Sequence, residues 1–212
     1  MAATEVSIPS LGLGGGTLRL PRAASCLVVF ARGSGSSRRS PRNNVVAEAF
    51  AKRGIATLLF DLLTPEEEAD RGNVFDILLL AGRLAEVVEW IGKQPTVGTL
   101  PLGLFGASTG AAAALTAAAQ LRDRVGAIVS RGGRPDLADG TLDDVRAPTL
   151  MIVGGADEGV IELNERALAR LPAPKRLQII PGASHLFSEP GALDAVTEHA
   201  VRLFEVHLRP HQ

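Results

Sequence analysis

A strand that is apolar at every position, rather than at every second one, is covered on both faces. This chain repeats that pattern with helices in between. Cys26-Leu-Val-Val-Phe-Ala31 is such a run, rich in β-branched residues. Ile55–Phe60, Pro101–Phe105, Val125–Val129, Thr149–Val153 and Leu177–Ile180 follow as further strands. Between them lie helical periodicities: about 43–53, ending at Gly54; 74–92, capped by Asn73; Ser108–Arg122; Val160–Leu171; and Pro190–Leu208. Val6–Ile8 and Thr17–Leu20 flank the Gly12 to Gly16 cluster and read as a hairpin. Strand alternating with helix predicts right-handed crossovers: an α/β fold whose mostly parallel sheet carries helices on both faces. In such sheets the chemistry gathers at the carboxyl ends of the strands.

The composition narrows the class. At 212 residues the chain suits one domain, 1–212, large enough to fold without disulfides or metal. A single cysteine, Cys26, excludes a disulfide framework and any multi-cysteine zinc module; inside a central strand it reads as a small core residue. A net charge of −1 argues against strong nucleic-acid or anionic-membrane binding. With no Tyr and one Trp, base-stacking platforms are out of reach. Residues 94–121 carry no charge and mimic a membrane span in length, but Pro95, Pro101 and several glycines fit a buried strand and helix better. The first residues lack a basic region followed by an apolar run, so no signal peptide is read and a soluble cytoplasmic protein is expected.

One strand end carries a motif. Gly106-Ala107-Ser108-Thr109-Gly110 follows a strand and opens a helix, giving G-x-S-x-G in the strand–turn–helix setting of a nucleophile elbow. The turn is so sharp that side chains flanking Ser108 must be absent, and the helix that starts there aims its positive end at the same spot. By chance the pattern arises roughly 0.1 times in a chain of this composition. The plainer alternative is a glycine-rich turn with a capping serine. A P-loop is excluded, because no lysine follows these glycines.

A serine hydroxyl needs a base, and the base an orienting acid. His199, His207 and His211 lie in the terminal helix and tail and suit solvated surface. His185 lies directly after the last strand, in Pro181-Gly182-Ala183-Ser184-His185. Asp157 lies just past Thr149–Val153, with Glu158 as its fallback; it also suits the N-cap of the next helix. Ser, Asp and His thus fall in the required order at three strand ends.

These motifs, with Phe30-Ala31-Arg32-Gly33-Ser34-Gly35 and Val153-Gly154-Gly155-Ala156-Asp157, make the chain resemble the α/β-hydrolase superfamily over nearly its whole length. More narrowly it resembles the small dienelactone-hydrolase-like members. The resemblance implies a three-layer fold with about eight strands, and ester-type hydrolysis without a cofactor or metal. Two departures stand out. Dienelactone hydrolases proper use a cysteine where this chain has Ser108, so lactone specificity does not carry over. Where many superfamily members have His-Gly, this chain has Arg32-Gly33. Lids in the superfamily commonly sit between the sixth and seventh strands; Ser130 to Pro148 leaves little room for one, so an open site is expected.

Acyl transfer needs donors for the charge that develops on the carbonyl oxygen. The backbone N–H of Thr109 is one candidate. By resemblance the other is Ser34, with Gly33 and Gly35 as near alternatives. Arg32 and Arg131 are candidate substrate contacts, and Arg38, Arg39, Arg42 and Arg134 also lie near strand ends, where arginine selects carboxylate or phosphate. The competing reading makes them solvated surface paired with Glu66, Glu67, Glu68 and Asp70. The expected function is a serine hydrolase of small esters or thioesters. An acyltransferase with the same three residues, or a non-catalytic small-molecule binder on the same fold, are the alternatives.

Overall fold

The computed structural model describes residues 3–8, 15–33 and 37–209. Its strands are β1 (Thr4–Val6), β2 (Gly16–Arg19), β3 (Cys26–Ala31), β4 (Ile55–Phe60), β5 (Leu102–Ala107), β6 (Ala127–Arg131), β7 (Thr149–Gly154) and β8 (Lys175–Ile180). They form one sheet in the order β1-β2-β4-β3-β5-β6-β7-β8. β1 pairs antiparallel with β2, and β2 with β4; all the other pairings are parallel. The chain leaves β3 toward β4 on one side and later returns as β5 on the other. That reversal opens a crevice at the carboxyl ends of β3 and β5, where ligands bind in sheets of this kind.

The helices are α1 (Pro41–Lys52), α2 (Pro65–Ala69), α3 (Arg71–Phe75), α4 (Ile77–Gly92), α5 (Thr109–Leu121), α6 (Glu158–Arg170) and α7 (Ala192–His207). Two cores follow from the two faces of the sheet. Leu27, Val29 and Leu104 point to one side, with residues of α4, α5 and α6. Val28, Phe30, Phe105 and Val129 point to the other, with residues of α1 and α7. On that second side Phe50 of α1 is ringed by Phe30, Phe105 and Phe204, at centroid distances of 5.9, 5.8 and 5.8 Å. The alanine-rich α5 is buried from Thr109 to Ala118.

The N-terminal pairing forms, with Val6 opposite Gly16, although β1 lies two residues earlier than expected. Part of its connecting glycine cluster falls outside the described residues. The helix expected over 74–92 is instead two helices. Asp76 adopts a non-helical backbone and its carboxylate accepts from Leu79 N at 3.0 Å, capping α4. Asn73 caps nothing; its side chain donates to Glu67 O. α2 had no apolar signature, since none of its residues is buried; it is held by a capping box between Thr64 and Glu67. The uncharged 94–121 stretch resolves into a loop, β5 and α5, and no described helix is long and apolar enough to cross a membrane.

Candidate active site

Ser108 sits between β5 and α5 with φ 52° and ψ −124°, a conformation few residues other than glycine adopt. Such strain persists only where the surroundings hold it. Ser108 N donates to Arg131 O at 3.2 Å, and Ser108 O accepts from Ala111 N at 3.1 Å and Arg134 N at 3.2 Å. The flanking glycines are required by close approach. A Cβ on Gly106 would lie 2.4 Å from Ala111 Cα, and one on Gly110 would lie 2.2 Å from Ala31 O. The helix therefore starts hard against the ends of β3 and β5, with the Ser108 side chain lifted to the carboxyl edge.

His185 and Asp157 come from neighbouring loops after β8 and β7. Their loops are pressed together because Gly154 carries no side chain: a Cβ there would lie 2.3 Å from Ala183 O. Gly155 N donates to Ile180 O at 2.8 Å, and Ala156 N to Ala183 O at 3.0 Å. Past His185 the chain is pinned by Phe187, which is buried at φ 53°. The result is a 2.7 Å hydrogen bond between His185 Nδ1 and an Asp157 carboxylate oxygen. Asp157 occupies the N-cap position of α6, but its side chain makes no cap hydrogen bond.

Ser108 and His185 line one cavity of about 260 Å³, together with Gly33, Ser40, Arg42, Asn43, Ala107, Arg131 and Leu186. Ser108, Asp157 and His185 are all partly exposed. Thr109 opens α5 beside Ser108, at the positive end of the helix dipole. Gly33 lies against the serine: a Cβ on it would be 2.8 Å from Ser108 Cβ. Ser34 and Gly35 lie outside the described residues. Among the described residues, no group of three or more His, Cys, Asp or Glu is placed to hold a metal ion.

The arginines part ways. Arg32 is 6% exposed, ion-paired through Nε to Asp61 at 3.0 Å, out of line for a hydrogen bond, and hydrogen-bonded through Nη1 to Glu68 at 3.1 Å. Its guanidinium is thus engaged within the fold, unlike the substrate contact expected from the sequence. Arg38 pairs with Asp61 and Glu5, and Arg134 with Asp136. Arg131 is not solvated surface. It stacks over Phe105 at 5.9 Å, and burial, with the nearby charge of Arg42, lowers its pKa to about 10. Sequence reasoning missed Asn43 and the contact of Gly33 with Ser108. For Gly33 the available signal was position, two residues past the carboxyl end of β3; Asn43 lies in the first turn of α1, and no comparable signal marked it.

A sheet of this order and direction, with a strained serine at the β5–α5 turn, is the fold of an α/β-hydrolase. Within that class the chain belongs to the dienelactone hydrolase family, whose family model matches residues 18–207. A crystal structure of dienelactone hydrolase from Anabaena variabilis is 53% identical, covers 98% of each chain and superposes with a TM-score of 0.92. Est1E from Butyrivibrio proteoclasticus, 17% identical over 97% of this chain and 100% of that one, shares the fold at a TM-score of 0.78. A Mycobacterium tuberculosis (strain H37Rv) protein named "Putative phosphoribosyl transferase" is 58% identical over 193 residues, which are 91% of this chain and 44% of that protein. The chain therefore spans less than half the length of that relative.

Proposed function

We propose that the protein is a serine hydrolase of carboxylic esters or thioesters of small substrates. The supporting observation is the arrangement around one cavity: Ser108 on a strained turn, His185 on the wall of the same cavity, and Asp157 bonded to His185 Nδ1 at 2.7 Å. With Nδ1 engaged, Nε2 is the ring nitrogen left to take the serine proton. Ser108 Oγ attacks the carbonyl carbon, and the proton passes to His185. Asp157 steadies the imidazolium. The oxyanion is held by the backbone N–H of Thr109; the second donor expected from the resemblance, Ser34, lies outside the described residues. His185 returns its proton to the leaving group, then takes one from a water that attacks the acyl carbon, and passes it to Ser108 Oγ as the acid departs.

The phosphoribosyl transferase name belongs to a protein more than twice as long, and nothing at Ser108 calls for ribosyl transfer. Acyl transfer to an alcohol or amine is the second reading. It is favoured by the partial exposure of Ser108 and His185, which lets an acceptor other than water approach. Product analysis with competing alcohols and amines separates the two.

A fluorophosphonate probe tests the nucleophile. Wild-type protein is expected to be labelled, and Ser108→Ala to lose the label. Unlabelled wild type, or undiminished labelling of the variant, overturns the assignment.

A further inference from the structure

Two arginines in the Ser108 cavity lack acidic partners. Arg131 Nη1 and Arg42 Nε are buried with no hydrogen-bond partner, and neither arginine forms an ion pair with any described residue. The carboxylates that might have served are engaged elsewhere: Asp61 with Arg32 and Arg38, Asp136 with Arg134, and Asp157 with His185. Two like charges side by side in a partly desolvated cavity cost free energy unless an anion joins them.

The same cavity receives the N-terminus of α1, a helix of 12 residues. Ser40, Arg42 and Asn43 of its first turn line the wall. No acidic residue lies in that turn, and the Ser40 side chain makes no cap hydrogen bond. The backbone N–H groups of Arg42 and Asn43 have no acceptor within the helix. Asn43 lines the same wall and is 4% exposed; its unpartnered Oδ1 is an acceptor and gives an anion no hydrogen bond. Backbone donors, a helix dipole and two guanidiniums thus meet from β6 and α1.

We propose that this cavity binds the phosphate of a phosphorylated substrate, an ester or thioester whose phosphomonoester lies away from the scissile bond. The inference rests on the hydrolase reading above and names its substrate class. A tetrahedral dianion presents three oxygens in different directions, which matches donors mounted on two elements. A planar carboxylate presents two oxygens in one plane, which suits a single bidentate arginine. The phosphate is a handle and is not cleaved; it sets where the acyl carbon lies relative to Ser108.

Calorimetric titration with inorganic phosphate and with acetate reads the subsite without turnover. Phosphate is expected to bind and acetate to bind at least about tenfold more weakly, since charge-assisted bonds are lost. Arg131→Met and Arg42→Gln should each weaken phosphate binding about tenfold or more. Arg42 is the safer variant, because it lies in the first turn of a helix and outside the sheet. In parallel, matched esters ending in phosphate, carboxylate or methyl are compared by kcat/KM. The phosphorylated ester is expected to lead the methyl ester by about 100-fold, mainly through KM. Acetate binding as tightly as phosphate, phosphate binding unchanged in both arginine variants, or equal kcat/KM for phosphorylated and methyl esters overturns the proposal. Failure of the parent reading looks different: Ser108 stays unlabelled by fluorophosphonate while phosphate binding still depends on both arginines.

Discussion

An Asp157 oxygen 2.7 Å from His185 Nδ1 keeps a proton on that nitrogen and leaves Nε2 as the acceptor. An amide in its place can present its N–H to the ring and stabilise the opposite tautomer. Asp157→Asn is therefore expected to lower kcat by about 10⁴-fold. Its thermal midpoint should stay near wild type, because the Asp157 side chain caps nothing. A kcat within tenfold of wild type would remove Asp157 from the mechanism. Cys26 gives a second prediction at this scale. It is 1% exposed in β3, and burial pushes its thiol from an ordinary 9.0 up to about 11. The folded state thus holds this proton more tightly than the unfolded chain. The corresponding stabilisation is complete below pH 9.0 and is lost as pH rises through about 11. An Ellman titration at pH 8 should find no reactive thiol in native protein and one after denaturation; prompt native reaction would contradict the buried placement. The candidate residues Ser108, Asp157 and His185 could be picked out from the sequence because each lies in the turn or loop after an apolar run. Arg42 and Arg131 were ambiguous, because desolvation and missing partners are properties of the packed molecule.

Among the elements, α5 carries the most demanding packing. Gly110, in its first turn, faces Ala31 O and Arg32 O, where an added Cβ would sit at 2.2 and 2.4 Å. Those neighbours are backbone of a central strand and its exit loop, so neither yields easily. Gly110→Ala is expected to destabilise by about 2 kcal/mol or more, read as a lower urea midpoint. It should also lower kcat, because moving α5 moves Ser108 with it. A midpoint equal to wild type would show that α5 does not rest on the end of β3. The sheet strands were readable from their uninterrupted apolar character, yet the break at Asp76 was not. Val74, Ile77, Ala81 and Leu84, all buried, keep a helical period across it. Period reports which face is buried; it does not register that one carboxylate prefers Leu79 N to a continuing helix.

For the whole molecule, the decisive geometry is that the β6–β7 connection, among the described residues, does not cover the crevice. The connection from β6 to β7 runs through a 3-10 segment, Pro135–Asp144, which packs on α5 and α6 and buries Ala138 and Leu142 in the core on that side. It serves as core cover and leaves Ser108 and His185 partly exposed. A cavity of about 260 Å³ lies at the small end of ligand pockets, and its wall is polar on the arginine side, with Leu186 at 49% exposure on its rim. Long acyl chains would have to lie over open surface, where they bury little area and gain little binding. In a series of nitrophenyl esters from acetate to decanoate, kcat/KM is therefore expected to peak among the short chains and fall beyond butyrate. A lidded lipase behaves differently, because an apolar interface favours the open form and rate jumps as substrate passes its solubility limit. No such jump is expected for this protein. A maximum at octanoate or decanoate, or activation at the solubility limit, would mean that an apolar surface closes over Ser108, and the open-site reading would fail with it.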